Sequence, residues 1–101
     1  MANTLIRGTT PTDTFTFETP LDEAEKVLII YKQHSYTLEK EFNSFETGQT
    51  TIDVYLSQEE SLAFNVGECK ISCIVKFKNG NRLESEPISK IIKETVKKEV
   101  I

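Results

Sequence analysis

Residues 69–86, CKISCIVKFKNGNRLESE, decide the fold class of this chain. Cys69, Ile71, Cys73, Val75 and Phe77 alternate with Lys70, Ser72, Lys76 and Lys78, and only Ile74 falls out of step. Successive side chains of an extended chain point to opposite faces, so a period of two predicts a strand with one buried face. Asn79-Gly80 follows, a dipeptide suited to the positive backbone angles of a two-residue hairpin turn. The pattern predicts a hairpin whose second strand runs from Arg82 to Glu86.

Upstream, Thr51–Leu56 alternates in the same way, with Ile52, Val54 and Leu56 inward and Thr51, Asp53 and Tyr55 outward. The period then changes. Ser57-Gln58-Glu59-Glu60 fits a capping box, in which the Ser hydroxyl accepts from the third helical amide and the Glu reaches back. With Leu62, Phe64 and then Gly67 as a stop, a helical turn or two is expected. Val27–Gln33 (VLIIYKQ) is apolar on both faces at first, as in a central strand. His34 and Ser35 then turn the chain into an alternating Tyr36–Phe42. Near the start, Phe15 and Phe17 share a face opposite Thr14, Thr16 and Glu18. Pro11 separates this strand from a short edge segment at Leu5–Thr9. Pro20–Lys26 reads as a polar connection.

The end of the chain, PISKIIKETVKKEVI, supports two patterns. Ile88, Ile91, Ile92 and Val96 fit helical spacing, whereas Ile88, Lys90 and Ile92 share one side of a strand. The strand reading is preferred over 88–93, with 94–101 as a loose C-terminal tail. About seven short strands and one helical turn predict an all-β chain, a small two-sheet antiparallel β-sandwich spanning 1–93. A small barrel is the alternative.

The 101 residues are enough for one domain, with 38% hydrophobic and 28% charged residues to build a core and a solvated surface. The longest apolar run, Val27 to Tyr31, is far below the ~18 residues of a membrane span. Residues 1–10 lack the apolar stretch of a secretory signal, which leaves the cytoplasm as the expected location. Sixteen acidic residues against twelve basic give a formal charge of −4, which offers a phosphate backbone no attraction. Lys90, Lys93, Lys97 and Lys98 cluster, but Glu94 and Glu99 interrupt them, as on a solvated face.

Residue chemistry offers no catalytic centre. On one strand, Cys69 and Cys73 would stand roughly 13 Å apart at ~3.3 Å per residue, beyond the ~7 Å reach of a disulfide. They read as buried, reduced thiols. His34 is the only histidine and sits in a turn. Glu39 with Glu41 and Glu84 with Glu86 share strand faces, a spacing common to any solvated strand. The four glycines stand alone, so no phosphate cradle is expected. No cofactor and no metal are implied.

In their order along the chain, RGTTP at 7–11, YKQ at 31–33, LSQEE at 56–60 and the final hairpin resemble short prophage-encoded proteins of Gram-positive bacteria associated with tail or baseplate genes. The likeness extends over nearly the whole chain and includes the immunoglobulin-like N-terminal domain of phage baseplate upper proteins. The resemblance implies a non-enzymatic structural or assembly protein of a phage tail or baseplate-like particle. Its partners would be other tail or baseplate proteins or identical subunits, with no nucleic acid and no membrane. The alternative is a module for cell-surface glycans, using Tyr55 with Tyr36 and Asp53. Contact with a partner is expected in the tail, where Val96, Val100 and Ile101 have little intramolecular core to cover them.

Overall fold

A computed structural model describes residues 3–101, and among these the chain is almost entirely β. The order is β1 (Thr4–Ile6), β2 (Thr12–Thr16), β3 (Ala24–Lys32), β4 (Thr37–Phe42), β5 (Thr51–Tyr55), α1 (Gln58–Leu62), β6 (Gly67–Phe77), β7 (Arg82–Glu84) and β8 (Ile88–Lys93). The larger sheet runs β1-β8-β6-β3-β4, with β7 also on β6, and the smaller contains β2 and β5 alone. Phe15, Ile52 and Val54 of the small sheet join Val27, Ile29, Cys69, Ile71 and Ile92 of the large one in a single buried cluster. This is a two-layer β-sandwich, with β2 and β5 facing the β8-β6-β3-β4 layer. Among the described residues no helix is long and apolar enough to cross a membrane.

The period-two stripes become the inner faces. Cys69, Ile71, Cys73 and Val75 of β6 are buried, as are Val27, Ile29 and Tyr31 of β3. Leu28 and Ile30, on the outer face of β3, stay half-buried, because nothing is layered on that side of the sheet. The expected 88–93 strand is present at those bounds. It shares one edge of β6 with β7: Ser85 bonds the backbone of Cys73 through both its N–H (2.9 Å) and its hydroxyl (2.9 Å), and β8 then resumes beyond Pro87. All pairings are antiparallel except β1–β8, which is parallel.

Several local expectations are corrected. Asn79 does not take a positive φ. Gly80 N–H donates to Phe77 O (3.0 Å) and Phe77 N–H to Asn81 O (2.8 Å), so the hairpin closes through a three-residue loop with Gly80 at φ 92°. This is a turn followed by a bulge rather than a two-residue turn. Gly67 opens β6 instead of stopping the helix, which ends at Leu62. The 20–26 connection is only partly polar: Leu21 and Ala24 are buried, and β3 starts at Ala24. The edge segment is Thr4–Ile6 rather than 5–9.

The largest correction concerns Lys90, placed on a solvated face by the charge pattern. It is 1% exposed, and its Nζ donates to Asp13 Oδ1 at 2.6 Å. Tyr31 OH donates to Asp13 Oδ2 at 2.5 Å. Asp13 lies on β2, Tyr31 on β3 and Lys90 on β8, so the three groups bridge the two sheets inside the core. Buried charges are tolerated only when paired and hydrogen-bonded. No buried side-chain N or O among the described residues lacks a partner.

One end of the sandwich is sealed by local capping. Ser57 and Glu60 form the expected capping box. Arg7 donates to Leu62 O (2.7 Å) at the end of α1, and Ser61 donates to Thr9 O (2.7 Å). A Cβ on Gly8 would stand 3.1 Å from Leu62 Cδ2, and Gly8 has φ 82°, so glycine permits both the close approach and the turn there.

The Gly80 geometry predicts that Gly80→Val destabilises the domain by roughly 1 kcal/mol or more, since a β-branched residue is strained at this φ. Thermal or urea unfolding of the variant checks it. Unchanged stability would mean that the loop adopts another conformation.

Candidate functional site

With only two strands, the small sheet has two free edges. Phe17 N–H donates to Thr50 O (2.8 Å) and Leu56 N–H to Pro11 O (3.1 Å), which fixes the odd-numbered residues of β2 as those bonded to β5. The N–H and C=O groups of Thr12, Thr14 and Thr16 consequently point away from β5, and no other strand among the described residues pairs with them. The other edge is partly blunted, because Gln49 Nε2 donates to Thr51 O (2.8 Å).

Beside the C-terminal end of β2 is a groove of about 480 Å³. Thr16 to Thr19 and Leu21 form one wall, Cys73, Val75 and Phe77 the floor, and Leu83 to Ser85 the other wall. Its only charged lining residues are Glu18 and Glu84. The mostly apolar floor and unpaired strand edge together form a surface that another strand could complete.

The tail residues Val96, Val100 and Ile101 are exposed, Val96 fully. The tail backbone is held at both ends. Arg7 pairs with Glu94 at 2.8 Å, and Gln58 exchanges hydrogen bonds with the backbone N–H (2.9 Å) and C=O (3.0 Å) of Ile101. The three apolar side chains therefore stand on one tethered segment near α1. The groove lies at the other end of β2, and the structure does not bring the two together.

The remaining candidates disperse. Among the described residues no group of three or more His, Cys, Asp and Glu is placed to hold a metal ion. Glu41 pairs with Lys26 (3.5 Å) and Glu84 with Arg82 (3.1 Å), as solvated strand faces do. His34 is exposed in its turn. Tyr55 is 67% exposed on the outer face of β5, whereas Tyr36 packs edge-on against Phe64 at 5.1 Å, and Asp53 accepts a hydrogen bond from Thr14 (2.7 Å). The two tyrosines do not form one stacking platform. The sequence reading missed the groove and the Asp13–Lys90 pair. The signal for the pair was present: Asp13 shares the inward parity of Phe15, and Lys90 that of Ile92.

No family model, no curated protein and no solved structure matches this chain.

Both thiols are free and buried. Burial pushes the Cys69 thiol up to about 11 from 9.0, and burial also raises Cys73. Tyr31 is raised by burial first and then by its bond to Asp13. The unfolded chain loses these protons at lower pH than the folded one. For Cys69 the stabilising contribution is complete below pH 9.0 and is lost as pH climbs toward 11. We expect stability to fall across that window, with Cys69 contributing at most about 1.4 kcal/mol per pH unit. Urea unfolding at several alkaline pH values checks this, and a Cys69→Ala variant should show a shallower slope. A flat profile would contradict the burial of the stripe.

Proposed function

We propose that this chain is a non-enzymatic structural or assembly protein of a phage tail or baseplate-like particle, joining identical or neighbouring subunits through protein–protein contacts. The observation that carries the reading is the unpaired edge of β2 beside a mostly apolar groove. A strand aligned there gains main-chain hydrogen bonds from Thr12, Thr14 and Thr16 and a place for alternate side chains. Glu18 and Glu84 on the rim favour a partner segment that mixes apolar and basic residues. The ordered set RGTTP, YKQ and LSQEE supports the phage assignment, and assembly in the bacterial cytoplasm follows from it.

Thr16→Pro tests the edge. Thr16 N–H faces away from β5, so proline removes an edge donor without removing a β2–β5 hydrogen bond. Wild-type protein should self-associate in analytical ultracentrifugation or capture tail proteins from an induced prophage lysate. The variant should do so at least about tenfold more weakly, roughly 1.4 kcal/mol. A wild type that stays monomeric at high concentration and captures no tail protein would contradict the proposal.

A further inference from the structure

The Asp13–Lys90 contact has the makings of a covalent bond as well as an ion pair. The two groups come from strands in different sheets, 77 residues apart in sequence, with Nζ 2.6 Å from Oδ1. They are 1% and 3% exposed, so no bulk water competes for either. The other carboxyl oxygen is already held by a hydroxyl donor, Tyr31 OH at 2.5 Å, and burial keeps the proton on that hydroxyl. A nucleophile, an electrophile and an oxyanion donor thus meet inside the packed core, on three different strands.

We propose that Lys90 and Asp13 condense to an intramolecular amide, releasing one water and cross-linking β8 to β2. The ammonium passes one proton from Nζ to Oδ1 along their hydrogen bond, leaving a neutral amine facing a neutral acid. The Nζ lone pair attacks Cγ, and the carbonyl electrons move onto Oδ2, where the Tyr31 O–H stabilises the developing charge. A second proton moves from Nζ to the Oδ1 hydroxyl, the Cγ–Oδ1 bond breaks, and Oδ1 leaves as water. Oδ2 remains as the amide oxygen, still accepting from Tyr31. An ammonium and a carboxylate become an amide and water, with no oxidant and no co-reactant. Fixing the two groups in contact supplies an effective concentration on the order of 10⁵ M or more, which offsets the unfavourable equilibrium of such a condensation in water. The cross-link would also carry force between the second and last strands without passing through the rest of the chain, a property suited to a subunit of a particle. The bond does not depend on the proposed function, and its test reads chemistry within one chain.

The experiment is the intact mass of the folded and then fully denatured protein, followed by tryptic peptide mapping of the unfolded chain. The expected mass is one water below that dictated by the sequence. Trypsin should fail to cut after Lys90, and a branched peptide should join Lys90 to the segment 8–26 that contains Asp13. The Lys90→Arg variant should show its full sequence mass whether or not it folds, and Tyr31→Phe should form the bond more slowly, by about tenfold or more. A wild-type protein at full sequence mass after prolonged incubation overturns the proposal. So does a water loss that maps to any residues other than Asp13 and Lys90.

Discussion

The contact between Lys90 and Asp13, closed by Tyr31, is the constraint on which the sandwich depends. A buried charge without a partner costs several kcal/mol, so β2 and β8 must lie where these two side chains meet. Shifting either strand by one residue would turn its charge toward solvent and strand the other in the core. Hydrophobic burial alone does not discriminate so sharply, since many registers bring Val, Ile and Phe together. The pair therefore acts as a register device between sheets that share no backbone hydrogen bonds. Once β8 is fixed, its parallel neighbour β1 follows, and Arg7 is brought to the end of α1 and to Glu94.

The two ends of the sandwich are finished differently. At the α1 end, Arg7, Thr9 and Pro11 meet Leu62, Ser61 and Leu56, and Gln33 exchanges hydrogen bonds with the backbone of Asn65 (2.7 and 2.8 Å). The segments RGTTP, YKQ and LSQEE, far apart in sequence, thus converge on one sealed end, and their chemistry is that of capping rather than of a ligand site. Toward the other end of β2, the groove between Phe17, Val75 and Leu83 stays open next to an unpaired strand edge. A two-stranded sheet cannot cover the wider sheet facing it, and the groove is the uncovered part.

How much of this was legible follows from how local each signal is. The β6 stripe, the capping box at Ser57–Glu60 and the 88–93 strand depend on neighbours a few residues away, and each is present. The loop at Gly80 differs by one residue because the same Asn-Gly pair suits a tight turn and a turn with a bulge, and the pairing of Phe77 with Asn81 decides between them. Lys90 was misread because charge clustering is a surface statistic, whereas its parity with Ile92 pointed inward. Asp13 was silent for the same reason: its partner is 77 residues away. The groove has no sequence signature, because it arises from the strand that the small sheet lacks.

The most direct test of the account is the coupling between Asp13 and Lys90, measured by urea unfolding of Asp13→Leu, Lys90→Met and the double variant. Each single variant leaves an uncompensated charge in the core and should lose about 3–5 kcal/mol, while the double variant, with both charges gone, should be more stable than either. Single variants within about 1 kcal/mol of wild type, or a double variant whose loss is the sum of the two, would show that the sheets are held in register by something else.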